Sequence, residues 1–145
     1  MADSSVVGVS MVGLDARYNL KELQVRGQYY ITMLDNSTAY NEFTGSDLGS
    51  TMTGYYVEAG YNVFSSLSKF KSELIPFVRY ENYNTHADVE DGIEQNDAFD
   101  KTVVTTGITW KVATGAAFKA DVQLLKSEAA DDFVKTFNAG IAIMF

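Results

Sequence analysis

Phe133-Val-Lys-Thr-Phe-Asn-Ala-Gly-Ile-Ala-Ile-Met-Phe145 is the stretch whose reading decides the fold. Taken at every second position, Phe133, Lys135, Phe137, Ala139, Ile141, Ile143 and Phe145 fall on one side. Val134, Thr136, Asn138, Gly140, Ala142 and Met144 fall on the other. Successive side chains of a strand point to opposite faces, so this segment reads as a strand with a mostly apolar face and a smaller, more polar one. At about 3.3 Å per residue its path is roughly 40 Å, and a tilt of about 40° reduces that to a span of roughly 30 Å, close to a hydrocarbon core. An amphipathic strand ending a soluble barrel would show the same alternation.

Working outward, the same period of two recurs along the chain. The expected strands cover approximately 6–20, 22–34, 51–64, 73–84, 102–112, 116–126 and 133–145. In the second strand Leu23, Val25, Gly27, Tyr29, Ile31 and Met33 alternate with Gln24, Arg26, Gln28, Tyr30 and Thr32. A helical period fits this poorly. In the third, Thr53, Tyr55, Val57, Ala59, Tyr61 and Val63 alternate with Gly54, Tyr56, Glu58, Gly60 and Asn62. The fourth carries the weakest alternation, and Pro76, which cannot donate to a ladder, belongs near a strand start or a bulge. Segment 35–50 reads as a long polar loop. Segment 85–100 is a second one, with Asp88, Glu90, Asp91, Glu94, Asp97 and Asp100 and no lysine or arginine. No convincing helix and no βαβ spacing is expected.

The 145 residues suit one domain, and the formal charge of −8 argues against nucleic acid, whose phosphates need a basic surface. With no cysteine there is no disulfide framework, thiolate nucleophile or cysteine metal site. No run of about 20 apolar residues provides a transmembrane helix. That leaves barrel strands open, because they place apolar residues at alternate positions and keep mean hydropathy near neutral, here −0.08. The start, Met1-Ala-Asp-Ser-Ser-Val-Val7, has neither the basic region nor the apolar run of a secretory signal.

Connection lengths add a second line of argument. Short ones at 19–22, 65–72 and 113–115 alternate with long ones at 35–50 and 85–100 and a modest one at 127–132. Outer-membrane barrels have short periplasmic turns and longer outside loops. With the last strand ending in the periplasm, every short turn falls on that side. Seven strands cannot close as an all-antiparallel meander, and open edges are untenable in lipid. The expectation is therefore an all-β, antiparallel transmembrane β-barrel segment, the C-terminal portion of a larger barrel.

The final strand resembles the terminal strand of a bacterial outer-membrane barrel, whose closing aromatic belongs to the signal read by the barrel assembly machinery. Further stretches, Tyr55-Tyr-Val-Glu-Ala-Gly-Tyr61, Leu74-Ile-Pro-Phe-Val-Arg-Tyr-Glu81, Thr106-Gly-Ile-Thr-Trp110, Phe118-Lys-Ala-Asp-Val-Gln123 and Ile143-Met-Phe145, are similar in order and spacing to the C-terminal third of porins of the phosphate-selective O/P-like type. The resemblance covers residues 50–145 well and 1–50 only in pattern. It implies a water-filled barrel of about sixteen strands in a parent protein of the Gram-negative outer membrane. That family's anion-binding ladder of lysines and arginines does not map onto this chain.

The polar side of the strands collects Arg17, Arg26, Glu58, Arg79, Glu81, Lys111, Lys119 and Asp121. In a barrel these are the pore-lining candidates, since charged rings tune ion selectivity. The competing structural reading makes them Arg–Glu and Lys–Asp pairs across neighbouring strands that stiffen the wall. Glu58 and Glu81 could be cast as acid and base, but no nucleophile or oxyanion motif accompanies them, and the protein is not expected to be an enzyme. His86, the one histidine, reads as part of a solvated acidic loop with no usual metal-ligand spacing. Tyr18, Tyr29, Tyr55, Tyr61, Tyr80, Trp110, Phe133 and Phe145 lie on the apolar face as girdle candidates. Phe137, Ile141, Ile143 and Phe145 are the candidate assembly signal.

The function expected from these readings is passive diffusion of small hydrophilic solutes or ions. The partners are outer-membrane lipid, the barrel assembly complex, and other chains completing the barrel or a homo-oligomer. No cofactor, metal or nucleic acid is implied. Two alternatives remain: a truncated barrel bound by the assembly machinery through its last strand, and a soluble ligand-binding barrel with its apolar side inward.

Overall fold

The computed structural model describes residues 6–67, 69, 71–90 and 92–144. Seven strands form one antiparallel sheet in the order β1-β2-β3-β4-β5-β6-β7, each paired with its neighbours in sequence. They are β1 (Gly8–Leu20), β2 (Leu23–Asp35), β3 (Thr51–Tyr61), β4 (Glu73–Asp88), β5 (Asp100–Ala113), β6 (Ala116–Ser127) and β7 (Val134–Ile143). The alternation read from the sequence finds its reason in this sheet. Leu20 pairs with Leu23 across a turn in which Lys21 takes a positive φ of 53°. At the β5–β6 hairpin, Gly115 takes φ 85°, a region that favours glycine.

Beyond shifts of one or two residues at strand ends, four features stand out against expectation. β3 ends at Tyr61, and the chain then makes a 3-10 turn over Val63–Ser66, where the Asn62 side chain accepts from the Phe64 N–H. β4 continues to Asp88, so the first part of the acidic segment is strand. Between the pairs Thr53↔Asn84 and Thr51↔Asp88, two steps along β3 face four along β4, which makes a bulge around His86. The third departure is a helix, α1 (Ser37–Thr44), inside the loop expected to be irregular. It ends at Gly45 in the left-handed region, whose N–H returns to the Asn41 carbonyl. The fourth is the last strand, which spans Val134–Ile143 rather than 133–145. Pro76 pairs with Ile108 of β5 but lies one residue beyond the last β4 residue paired with β3, Phe77, in keeping with a place near the strand start.

The sheet is open: β1 and β7 form its two edges, and every residue of both strands is exposed. Among the described residues only Leu34, Ile75, Phe77 and Val103 are buried hydrophobics. Large apolar side chains instead stand exposed on one face, including Leu14 at 71%, Val57 at 53% and Phe137 at 70%. The accessible surface is 9907 Å² for 16.0 kDa, against roughly 7,400 Å² expected of a compact monomer that size. One sheet with no second layer cannot bury its apolar face.

Candidate functional site: a cation-rich cleft on the polar face

The strand period sends most charged strand residues, Lys135 being an exception, to the face opposite the exposed apolar one, and register aligns them. Arg17 pairs with Arg26, Arg26 with Glu58, and Glu58 with Arg79, on β1, β2, β3 and β4. The row continues through Thr105, Gln123 and Thr136 to the far edge. Of these neighbours only one pair is joined by an ion pair: Arg26 places Nη2 at 2.8 Å and Nε at 2.9 Å from Glu58 Oε1. Arg79 turns along its own strand instead, with Nη2 2.7 Å from Glu81 Oε2, and covers the Tyr56 ring at 3.9 Å from its centroid.

The other cations follow both patterns. Lys111 Nζ reaches Glu73 of the neighbouring strand at 2.8 Å. Lys119 lies 3.8 Å from Asp121 on its own strand and 4.6 Å from the centre of the Phe77 ring. Arg17 lies 3.6 Å from Asp15, also on its own strand, with both side chains well exposed. Of the expected Arg–Glu and Lys–Asp pairs across strands, Arg26–Glu58 is present, and Lys111–Glu73 is a further cross-strand pair. Arg79–Glu81 and Lys119–Asp121 are formed within one strand, where side chains two residues apart share a face. Glu58 and Glu81 each carry their own guanidinium partner, and nothing draws the two carboxylates together as an acid and base.

Five of the eight polar-face candidates, Arg17, Arg26, Glu58, Lys111 and Lys119, line one cleft of about 310 Å³. Arg17 is on β1 and Lys119 on β6, five strand spacings apart, or roughly 24 Å across a flat sheet. That both border so small a cleft means the sheet curls with its polar face inward. Four cations and one carboxylate line the cleft, and each cation is in an ion pair, with Asp15, Glu58, Glu73 or Asp121, so the wall there is of mixed charge. Arg79, Glu81 and Asp121 stand outside this cleft. Asp121 is buried and accepts from Asn138 Nδ2 at 2.9 Å, fastening β7 to β6. The sequence reading missed the floor, where Ile75 and Phe77 take inward positions, Phe77 lying beneath Lys119. Their parity with Arg79 was the available signal.

His86 is not part of a solvated loop. It is 1% exposed, stacks on Phe99 with ring centres 4.4 Å apart, and places Nε2 2.8 Å from the Asp47 carbonyl. The bulge in β4 turns it inward, a consequence of pairing that no local pattern carries. Among the described residues no group of three or more His, Cys, Asp or Glu side chains is disposed to hold a metal. Phe137, Ile141 and Ile143 are exposed together on one face of β7, and Phe145 lies outside the described residues.

An uncharacterized protein of Aquifex aeolicus (strain VF5) is 30% identical to this chain over 109 residues, which is 75% of this chain and 25% of that protein. The chain thus spans about a quarter of the length of that relative. No family model matches the chain, and no solved structure matches it.

Proposed function

We propose that this chain is part of the wall of an outer-membrane β-barrel channel, serving passive diffusion of small hydrophilic solutes or ions. One observation carries the reading. Apolar side chains are exposed on one face of the sheet, while the charged ones gather on the inward-curving face. A surface of that kind suits hydrocarbon outside and water inside. A soluble ligand-binding barrel would need the reverse, with the apolar side within the curve.

Strand direction supports a larger barrel. In the meander β1 and β7 run the same way, so all-antiparallel closure takes an odd number of additional strands. The relative, about three times as long, has room for them. The ion pairs of the cleft leave its wall of mixed charge, so that a single substitution there can bias which ion passes. The porin-like stretches quoted above agree with the general architecture, while phosphate selectivity is left out of the proposal.

The test is cell fractionation of the longer protein carrying this segment, followed by conductance in planar bilayers across a salt gradient. Recovery in the outer membrane and a stable ionic conductance are expected. A protein that stays in the soluble fraction without detergent, or forms no conductance, overturns the reading.

A second reading is favoured by the edge strand β7, which exposes Phe137, Ile141 and Ile143. An incomplete barrel of this kind offers that strand for pairing by the outer-membrane assembly complex. Stable co-purification of the chain with that complex, abolished when Phe137 and Ile141 become serine, is the expected result. Undiminished capture of the double variant would sink it.

A further inference from the structure

The two long connections, 35–50 and 85–100, are fastened to each other at one end of the sheet. The Ser50 N–H donates to the Asp88 carbonyl at 3.0 Å, and Asn96 Nδ2 lies 3.4 Å from Asp47 Oδ2. Gln95 Nε2 donates to the His86 carbonyl at 2.7 Å, and His86 in turn reaches the Asp47 carbonyl. The contact of most chemical interest is at the start of α1. The helix is entered from Asn36 in the left-handed conformation, φ 68° and ψ 27°, with no side-chain cap and no acidic residue in its first turn. The Thr38 N–H donates instead to Glu90 Oε2 at 3.0 Å. A carboxylate 52 residues further along the chain thus takes the place of the missing cap, and its charge suits the positive end of the helix dipole.

We infer that Glu90 is an acid-releasable clasp, fastening α1 of the β2–β3 connection to the β4–β5 connection. The geometry of the clasp is independent of whether the sheet sits in a membrane. Eight residues are too few for a helix to stand unaided in water, so α1 depends on contacts of this kind. Hydrogen bonding from Thr38, against the opposing effect of burial, holds the Glu90 carboxyl below its ordinary value of 4.5. A depressed carboxyl contributes stability that is fully present above the unfolded value and is lost as pH falls through the lower folded one. The other titratable groups on the packed elements are Tyr40 and Glu42 on α1, Asp47 after it, and His86 and Asp88 at the end of β4. Glu94 and Asp97 lie on the same connection as Glu90. No salt bridge to Glu90 occurs among the described residues, so protonating it leaves no charged partner behind.

The experiment is amide hydrogen exchange on the whole chain in detergent micelles, corrected for intrinsic rates, at pH 7 and at about pH 3, below the ordinary carboxylate range. Wild type, Glu90→Gln and Glu94→Gln are compared. At pH 7, Glu90→Gln should lower protection over residues 38–44 by roughly tenfold, the scale of a lost helix cap, with β2, β3 and β4 unchanged. Acid should lower the protection of the wild type toward that level and move the variant little further, while Glu94→Gln behaves as wild type. Full protection of α1 in Glu90→Gln at pH 7 overturns the inference. So does an acid effect as large in that variant as in the wild type, or an equal loss in Glu94→Gln.

Discussion

Arg26 and Glu58 stand directly opposite each other on β2 and β3, with two guanidinium nitrogens on the single oxygen Oε1. Glu58 is the one carboxylate among the four cations of the cleft, and its Oε2 is buried without a partner. The pair therefore sets the charge of the cleft more than it sets stability. With Arg26 45% exposed, its contribution to folding is at most about 1 kcal/mol. Glu58→Gln releases the guanidinium and adds one net positive charge. In the proposed longer barrel the reversal potential across a salt gradient should move toward anions, with little change in the unfolding midpoint. An unchanged reversal potential would place the cleft outside the conduction path.

The polar and apolar faces should answer differently to a new charge. Val57, on β3 beside Glu58, is exposed on the apolar face. In water Val57→Arg would cost little. At a bilayer midplane it should cost about 2–4 kcal/mol. Gln123→Lys, on the row of polar-face residues, is the matched control and should cost under about 1 kcal/mol. Urea midpoints measured in lipid vesicles check both, and equal effects would count against a lipid-facing surface.

Two glycines of the sheet test how rigidly its strands are held. A Cβ on Gly54 would run into the far end of the Tyr30 ring, whereas one on Gly107 would run into the Ala120 backbone oxygen and Asp121. A ring can swing aside, and a paired backbone cannot. Gly54→Ala should therefore cost about 1 kcal/mol and be relieved by Tyr30→Ala, while Gly107→Ala should cost about 3 kcal/mol, the upper part of the overpacking range. The ordering of the two midpoints is the decisive readout.

Asp121 and Asn138 decide how firmly β7 is held. Asp121 is buried, and Asn138→Ala removes its hydrogen bond, leaving Lys119 at 3.8 Å as its nearest ionic partner. A loss of about 1–3 kcal/mol is expected for a buried acceptor so deprived. Because β7 is an edge, the loss should appear as faster amide exchange in β7 while β3 and β4 stay protected. Uniform loosening of the whole sheet would contradict this.

The sequence by itself determined what depends on neighbours in the chain. Alternation at a period of two fixed seven strands, their order and their faces, so that Arg26 and Glu58 were assigned to the polar side and Tyr55 and Val57 to the other. Short turns between them made a meander the simplest pairing. Tertiary structure decided everything that depends on register, curvature and contacts between loops. Register set Glu58 between Arg26 and Arg79, and side-chain packing joined it to Arg26 while Arg79 turned to Glu81. Curling brought Arg17 and Lys119 to one cleft although five strand spacings separate them. The bulge in β4 buried His86, and a carboxylate 52 residues away completed α1, a helix with no apolar stripe to announce it. Side-chain alternation is a local steric consequence of an extended backbone, legible residue by residue. Cleft and clasp are meetings of distant segments, and their partners exist only once the strands have paired.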